Sequence, residues 1–90
     1  MKIILLSGQS LSNKDWIEEV NKTLKVNSYD TEVMYYSHWE RGEGKADVEK
    51  ETERLIQLIN SLSEDYFIFA KSIGTVIFFN SIKRLRQWDQ

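Results

Sequence analysis

Apolar positions along this chain come in blocks of two different periods. Ile3-Ile4-Leu5-Leu6 is a continuous apolar run that ends in Ser7-Gly8-Gln9-Ser10, and Tyr66-Phe67-Ile68-Phe69-Ala70 is another that ends in Lys71-Ser72. Runs this short, apolar on both faces, predict central strands of a parallel sheet. Thr31 to Trp39 is rich in β-branched and aromatic residues and predicts another strand. Between these runs the period lengthens. Trp16, Ile17, Val20 and Leu24 recur at helical spacing with charged residues between them, which predicts an amphipathic helix over 14–25. Ser12, with Asp15 three residues on, reads as a variant capping box that opens it.

Asn27 to Asp30 reads as a turn, and Glu40 to Lys45, with Gly42 and Gly44, as a loop. Asp47 then caps or begins a long helix whose buried face is Val48, Leu55, Ile56, Ile59 and Leu62. Asp47, Glu49, Glu51 and Glu53 read as its solvated face rather than as a metal cluster, with Glu49 and Glu51 suited to the positive end of the helix. Ser63-Glu64-Asp65 closes it. After Gly74, the residues Val76, Ile77, Phe78, Phe79, Ile82 and Leu85 leave almost no polar face, which predicts a buried helix. Its basic end, Lys83-Arg84-Leu85-Arg86, suits the carbonyl terminus.

The resulting order, βαβαβα, predicts an α/β fold: a short parallel sheet in three layers, strand order 2-1-3, with right-handed crossovers. The first and third strands, being the most apolar, are expected to be the inner ones. A small flavodoxin-like or receiver-like domain shares that 2-1-3 start. Such domains place acidic residues or a phosphate loop at their strand ends, and Ser7-Gly8-Gln9 and Ala70-Lys71-Ser72 supply neither.

Length and composition narrow the picture. Ninety residues allow one domain, spanning 1–90, with a thin core. A net charge of −2 argues against a general nucleic-acid or membrane-surface binder. With no cysteine there is no disulfide, thiolate nucleophile or cysteine zinc site, and one histidine cannot build a multi-histidine metal site. No metal and no cofactor are expected. No run reaches the length of a membrane span, and the opening apolar run turns polar at Ser7, too soon for a signal-peptide core; a cytoplasmic location is the expectation.

The chemistry sits where the third strand meets the last helix. Ala70-Lys71-Ser72-Ile73-Gly74 is small-x-Ser-x-Gly at a strand-to-helix turn. A serine held in a tight turn needs small residues two before and two after it, so that strand and helix can approach and the hydroxyl stands clear. The N–H of Ile73, helped by the helix N-terminus, suits an oxyanion formed on that serine.

On these residues the chain resembles the α/β-hydrolase family, whose nucleophile elbow is Gly-x-Ser-x-Gly; Ala70 stands at the first glycine. The turn Ser7-Gly8-Gln9-Ser10 is similar to the family's loop after an early strand. The resemblance implies Ser72 as nucleophile, Ile73 and Gln9 as backbone oxyanion donors, and Ala70, Gly74 and Gly8 as the small residues shaping the turns. It implies hydrolysis of an ester, thioester or amide. In element order it covers the N-terminal half of such a hydrolase core.

The family's acid and histidine follow the serine along the chain. After Ser72 this sequence offers only Asp89 as an acid and no histidine. A serine without a base is a poor nucleophile near neutral pH. His38, expected near the end of the second strand and about 10 Å from Ser72 by strand spacing, reads as an edge residue among aromatics; as a base it would have to act on another chain. Lys71 reads as a solvated lysine at the sheet edge. Two functional expectations result: a hydrolase-like domain not catalytically complete in one chain, and a non-catalytic α/β half-domain that serves as an interaction or scaffold module. Both expect a homo-oligomer joined through the open edge of the third strand and the apolar last helix.

Overall fold

Three parallel strands form one sheet in the order β2-β1-β3, made of β1 (Lys2–Leu6), β2 (Asp30–Val33) and β3 (Tyr66–Ala70). The structure is a computed structural model and describes residues 1–42 and 44–88. The helices are α1 (Ser12–Val26), α2 (Ser37–Glu40), α3 (Val48–Ser61) and α4 (Ile73–Trp88). This is an α/β fold with the strand order expected from the sequence, and α2 is an element the sequence pattern did not announce.

β1 lies at the centre, paired with both β2 and β3 and covered on both faces: Ile4, Leu5 and Leu6 are wholly buried. Its register places Ile3 beside Thr31 and Phe67, and Leu5 beside Val33 and Phe69, while Leu6 lies beside Ala70. Strand side chains alternate between faces. Ile3, Leu5, Phe67 and Phe69 therefore share one face, and Ile4, Leu6, Ile68 and Ala70 the other. The first face meets α1, where Trp16 packs on Phe69 with ring centroids 6.1 Å apart. The second meets α4, where Gly74 lies against Leu6.

The third strand is not an inner one. β3 pairs with β1 alone, and Phe67 and Phe69 remain 60% and 41% exposed. Nor is α4 buried all round. It packs on α3 and β3, burying Gly74, Ile77 and Ser81, and turns Val76 and Phe79 (46% and 60% exposed) to solvent.

The second strand is shorter than its composition predicts. The Met34 amide still donates to the Leu5 carbonyl at 3.0 Å, and then the chain leaves the sheet. Tyr36 is extended, and Ser37 to Glu40 make a single helical turn. Side-chain contacts override the β propensity here. Tyr36 donates its hydroxyl to the Ser7 carbonyl at 2.8 Å, Trp39 donates its Nε1–H to the Gln9 carbonyl at 3.0 Å, and the two rings pack 4.9 Å apart.

Helix starts divide in the same way. Of the two roles open to Asp47 it takes the cap of α3, accepting from the Lys50 amide at 3.1 Å. The capping box at Ser12 does not form. Instead the Ser10 and Ser12 hydroxyls bond each other at 2.8 Å, Asn13 Nδ2 donates to Ser10 Oγ at 2.9 Å, and α1 begins at Ser12. Glu51, expected on a solvated face, is wholly buried, because its carboxylate accepts from the Ser37 amide at the start of α2 and from Arg54. Glu49 and Glu53 do lie at the surface, where both pair with Arg84.

Candidate functional site

The parallel sheet sends all three strands towards one edge, and the sequence-predicted site residues lie at it or just beyond it, Ala70 being the last residue of β3. In open α/β sheets this is the edge where ligands bind. β3 ends at Ala70, Lys71 completes the ladder by donating its amide to the Leu6 carbonyl at 2.9 Å, and α4 starts at Ile73. Ser72 alone makes the turn. It has φ +55°, one of two non-glycine residues with positive φ among those described. The left-handed region is costly for a side chain with a Cβ. A serine is held there because both sides are fixed. The Gly74 amide donates to the Lys71 carbonyl at 3.0 Å and the Thr75 amide to the Ser72 carbonyl at 2.9 Å.

The turn also depends on the absence of a side chain at Gly74. A Cβ there would lie 2.7 Å from Leu6 Cβ and 2.8 Å from the Leu6 carbonyl oxygen. That approach seats the first turn of α4 on β1 and leaves Ser72 exposed. Its hydroxyl has no hydrogen-bond partner among the described residues. Ile73 is the first residue of α4, so its N–H has no helical acceptor and stays available to an anion at Ser72.

Gln9 lies beyond β1, the strand next to β3, about 5 Å away by the spacing of paired strands. It is firmly held. Its carbonyl accepts from Trp39 Nε1 and, at 2.5 Å, from His38 Nε2; its side-chain Oε1 accepts from the Ala46 amide at 2.9 Å. Gly8, just before it, faces the Asn13 side chain, which a Cβ would meet at 2.8 Å.

His38 is where the structure departs most from the sequence reading. It is not an edge residue at the end of the second strand. It sits on α2, is wholly buried, and stacks on Tyr36 at 5.8 Å. Its anchor is the loop after β1, through the Gln9 carbonyl. A carbonyl only accepts, so Nε2 carries a proton and donates it to Gln9. The other ring nitrogen, Nδ1, is buried without a partner. Acting as a base on another chain would require His38 to leave this position. Lys71 is exposed as expected, with Nζ 4.3 Å from the centre of the Trp16 ring. Asp89 lies outside the described residues.

The sequence reading missed the clamp that Tyr36, Trp39 and Glu51 form around the loop ends. Burial lifts the Tyr36 hydroxyl far above the ordinary phenol range, and the Glu51 carboxylate adds to the rise. The signal available was the cluster Tyr35-Tyr36-Ser37-His38-Trp39, whose polar tips need partners when buried. A cleft of about 350 Å³ opens beside it, lined by Lys14, Glu18, Tyr35, Tyr36, Trp39 and Glu40. Ser72 does not line it. Among the described residues no group of three or more His, Cys, Asp or Glu is placed to hold a metal ion, and no helix is long and apolar enough to cross a membrane.

The class defined by these elements is an α/β fold with a parallel 2-1-3 sheet and a serine in a strained strand-to-helix turn. No protein-family model, no curated protein and no solved structure matches the chain.

Proposed function

We propose that this chain is an α/β-hydrolase-like domain that carries the nucleophile elbow of a serine hydrolase, acting on an ester, thioester or amide, and that it is not catalytically complete by itself. The observation that carries the reading is Ser72: exposed, at φ +55°, between the end of β3 and the start of α4, with Gly74 pressed on Leu6. Strained non-glycine residues of this kind persist where surrounding structure over-determines them. In this reading Ser72 attacks the substrate carbonyl, and the N–H groups of Ile73 and Gln9 receive the oxyanion. The contacts of α1 on one face of the sheet and α4 on the other favour a three-layer arrangement within a single domain over 1–90. The acid and the histidine then come from outside these ninety residues, and the setting is cytoplasmic.

A second reading is favoured by His38. The one histidine is buried against Gln9, and no base reaches Ser72 among the described residues. The chain would then be a non-catalytic α/β module that self-associates, and Ser72 would serve the turn alone.

Labelling by a fluorophosphonate probe separates the two. A serine activated by a completed site labels in the wild type and not in Ser72→Ala. A folded wild type that does not label, alone or with a candidate partner chain, overturns the catalytic reading and leaves the module.

A further inference from the structure

β3 is an edge strand with none of the usual protection, and its sequence is complementary to itself. Natural edges are blunted by charged residues, proline or bulges within the strand. Tyr66-Phe67-Ile68-Phe69-Ala70 has none of these, and its ladder to β1 runs without a break in register. The ladder extends one residue at each end: the Lys2 amide donates to the Asp65 carbonyl at 3.0 Å, and the Lys71 amide donates to the Leu6 carbonyl at 2.9 Å. Asp65 and Lys71 therefore turn their backbone groups towards β1. By strand alternation Phe67 and Phe69 do the same. The N–H and C=O groups of Tyr66, Ile68 and Ala70 then point out of the open edge.

Those three residues can pair with an antiparallel strand only in registers that oppose even-numbered positions. One register opposes Ile68 to Ile68 and Tyr66 to Ala70. It puts Phe67 opposite Phe69 and Asp65 opposite Lys71, each twice by symmetry. These are the closely spaced pairs that bear no hydrogen bonds between them, where cross-strand side chains interact most. All four residues stand on one face of the sheet, that of Trp16, which already holds Phe69 and Lys71 in place. Sliding the second strand by two residues either way sets Asp65 against Phe69, or Lys71 against Phe67, and the charge match is lost.

We propose that two copies of this chain join edge to edge through β3, antiparallel about a two-fold axis at Ile68, with Asp65 of each opposite Lys71 of the other. This deepens the self-association expected under either functional reading and fixes its geometry; it does not depend on Ser72 being a nucleophile. The result is one six-stranded sheet with Phe67 and Phe69 paired across the axis. Such a contact is isologous and closes on itself, so it stops at two copies.

The test is sedimentation equilibrium of the ninety-residue chain, with circular dichroism confirming that each variant is folded. The wild type is expected at twice its 10.7 kDa chain mass. Asp65→Lys and Lys71→Asp each set like charges opposite one another twice, and each is expected to weaken the dimer about tenfold or more. The combined Asp65→Lys/Lys71→Asp chain restores opposite charges and is expected to recover the dimer. A wild type that stays monomeric through the micromolar range overturns the proposal. So does an undiminished dimer in the single variants, or a folded double variant that remains as weak as they are. Fluorophosphonate labelling at Ser72 is read separately, so failure of this pairing and failure of the catalytic reading are distinguishable.

Discussion

Gly74, in the first turn of α4, packs directly on Leu6 at the end of β1, leaving no room for a Cβ between the helix and the strand. Leu6 is wholly buried and its carbonyl already accepts from Lys71, so neither Leu6 nor the helix can yield without disturbing the elbow. Gly74→Ala is expected to destabilise the fold by about 1–3 kcal/mol, the ordinary cost of overpacking a tight contact. Gly8→Ala is the comparison: the nearest atoms its Cβ would meet belong to the Asn13 side-chain amide, which can move at the expense of its bond to Ser10 rather than of the backbone. Urea unfolding of the two variants should show the larger midpoint shift at position 74.

Ser72 tests whether the strain in the elbow is stored for the side chain's sake. Glycine adopts positive φ freely, but costs backbone entropy on folding. The net effect of Ser72→Gly is expected to be neutral to stabilising, by up to about 1 kcal/mol. Ser72→Val, β-branched at φ +55°, is expected to destabilise. Thermal unfolding of both variants reads the order; a destabilised glycine variant would show that the serine side chain holds the turn.

Tyr36 predicts an alkaline limit to stability. Its hydroxyl is buried and bonded to the Ser7 carbonyl, and burial, reinforced by Glu51, raises its pKa well above the ordinary 10.0. The raised value means that the folded state keeps the proton where the unfolded state would release it. The stabilisation is fully present below pH 10 and is lost as the pH climbs from there towards the folded value. Tyr36→Phe is expected to cost about 1 kcal/mol near neutrality through the lost hydrogen bond. The gap between wild type and variant should narrow above pH 10, which denaturant midpoints from pH 8 to 11 would measure.

Glu51 is the buried acid that holds α2 in place. Its carboxylate accepts from the Ser37 amide at 3.1 Å and from the Arg54 guanidinium, which also donates to the Tyr35 carbonyl at 2.8 Å. Glu51→Ala leaves the Ser37 N–H without its acceptor and is expected to cost about 1–3 kcal/mol. Because α2 carries the anchors of Gln9, the variant should also increase amide hydrogen exchange across residues 34–41 and the loop at Gln9. The exposed pairs of Arg84 with Glu49 and Glu53 should matter far less.

The sequence by itself determined the elements whose cause is local or periodic. The run Ile3–Leu6, the 3.6 period of Trp16, Ile17, Val20 and Leu24, and the helix start at Asp47 each carry their own physical reason within a few residues. Together they fix a βα alternation, its parallel sheet, and a small-x-Ser-x-Gly turn at the end of β3. Tertiary structure decided the rest, because the reasons lie far apart along the chain. Met34 to Trp39 reads as strand, yet Ser7 and Gln9, twenty-nine and thirty residues earlier, draw it out of the sheet by accepting from Tyr36 and Trp39. Glu51 reads as a surface acid until the Ser37 amide, fourteen residues away, arrives beside it. β3 reads as an inner strand, and only its single neighbour, β1, makes it an edge. Local spacing sets where a strand or helix forms; which face is covered, and which edge stays open, depends on partners that folding alone brings near.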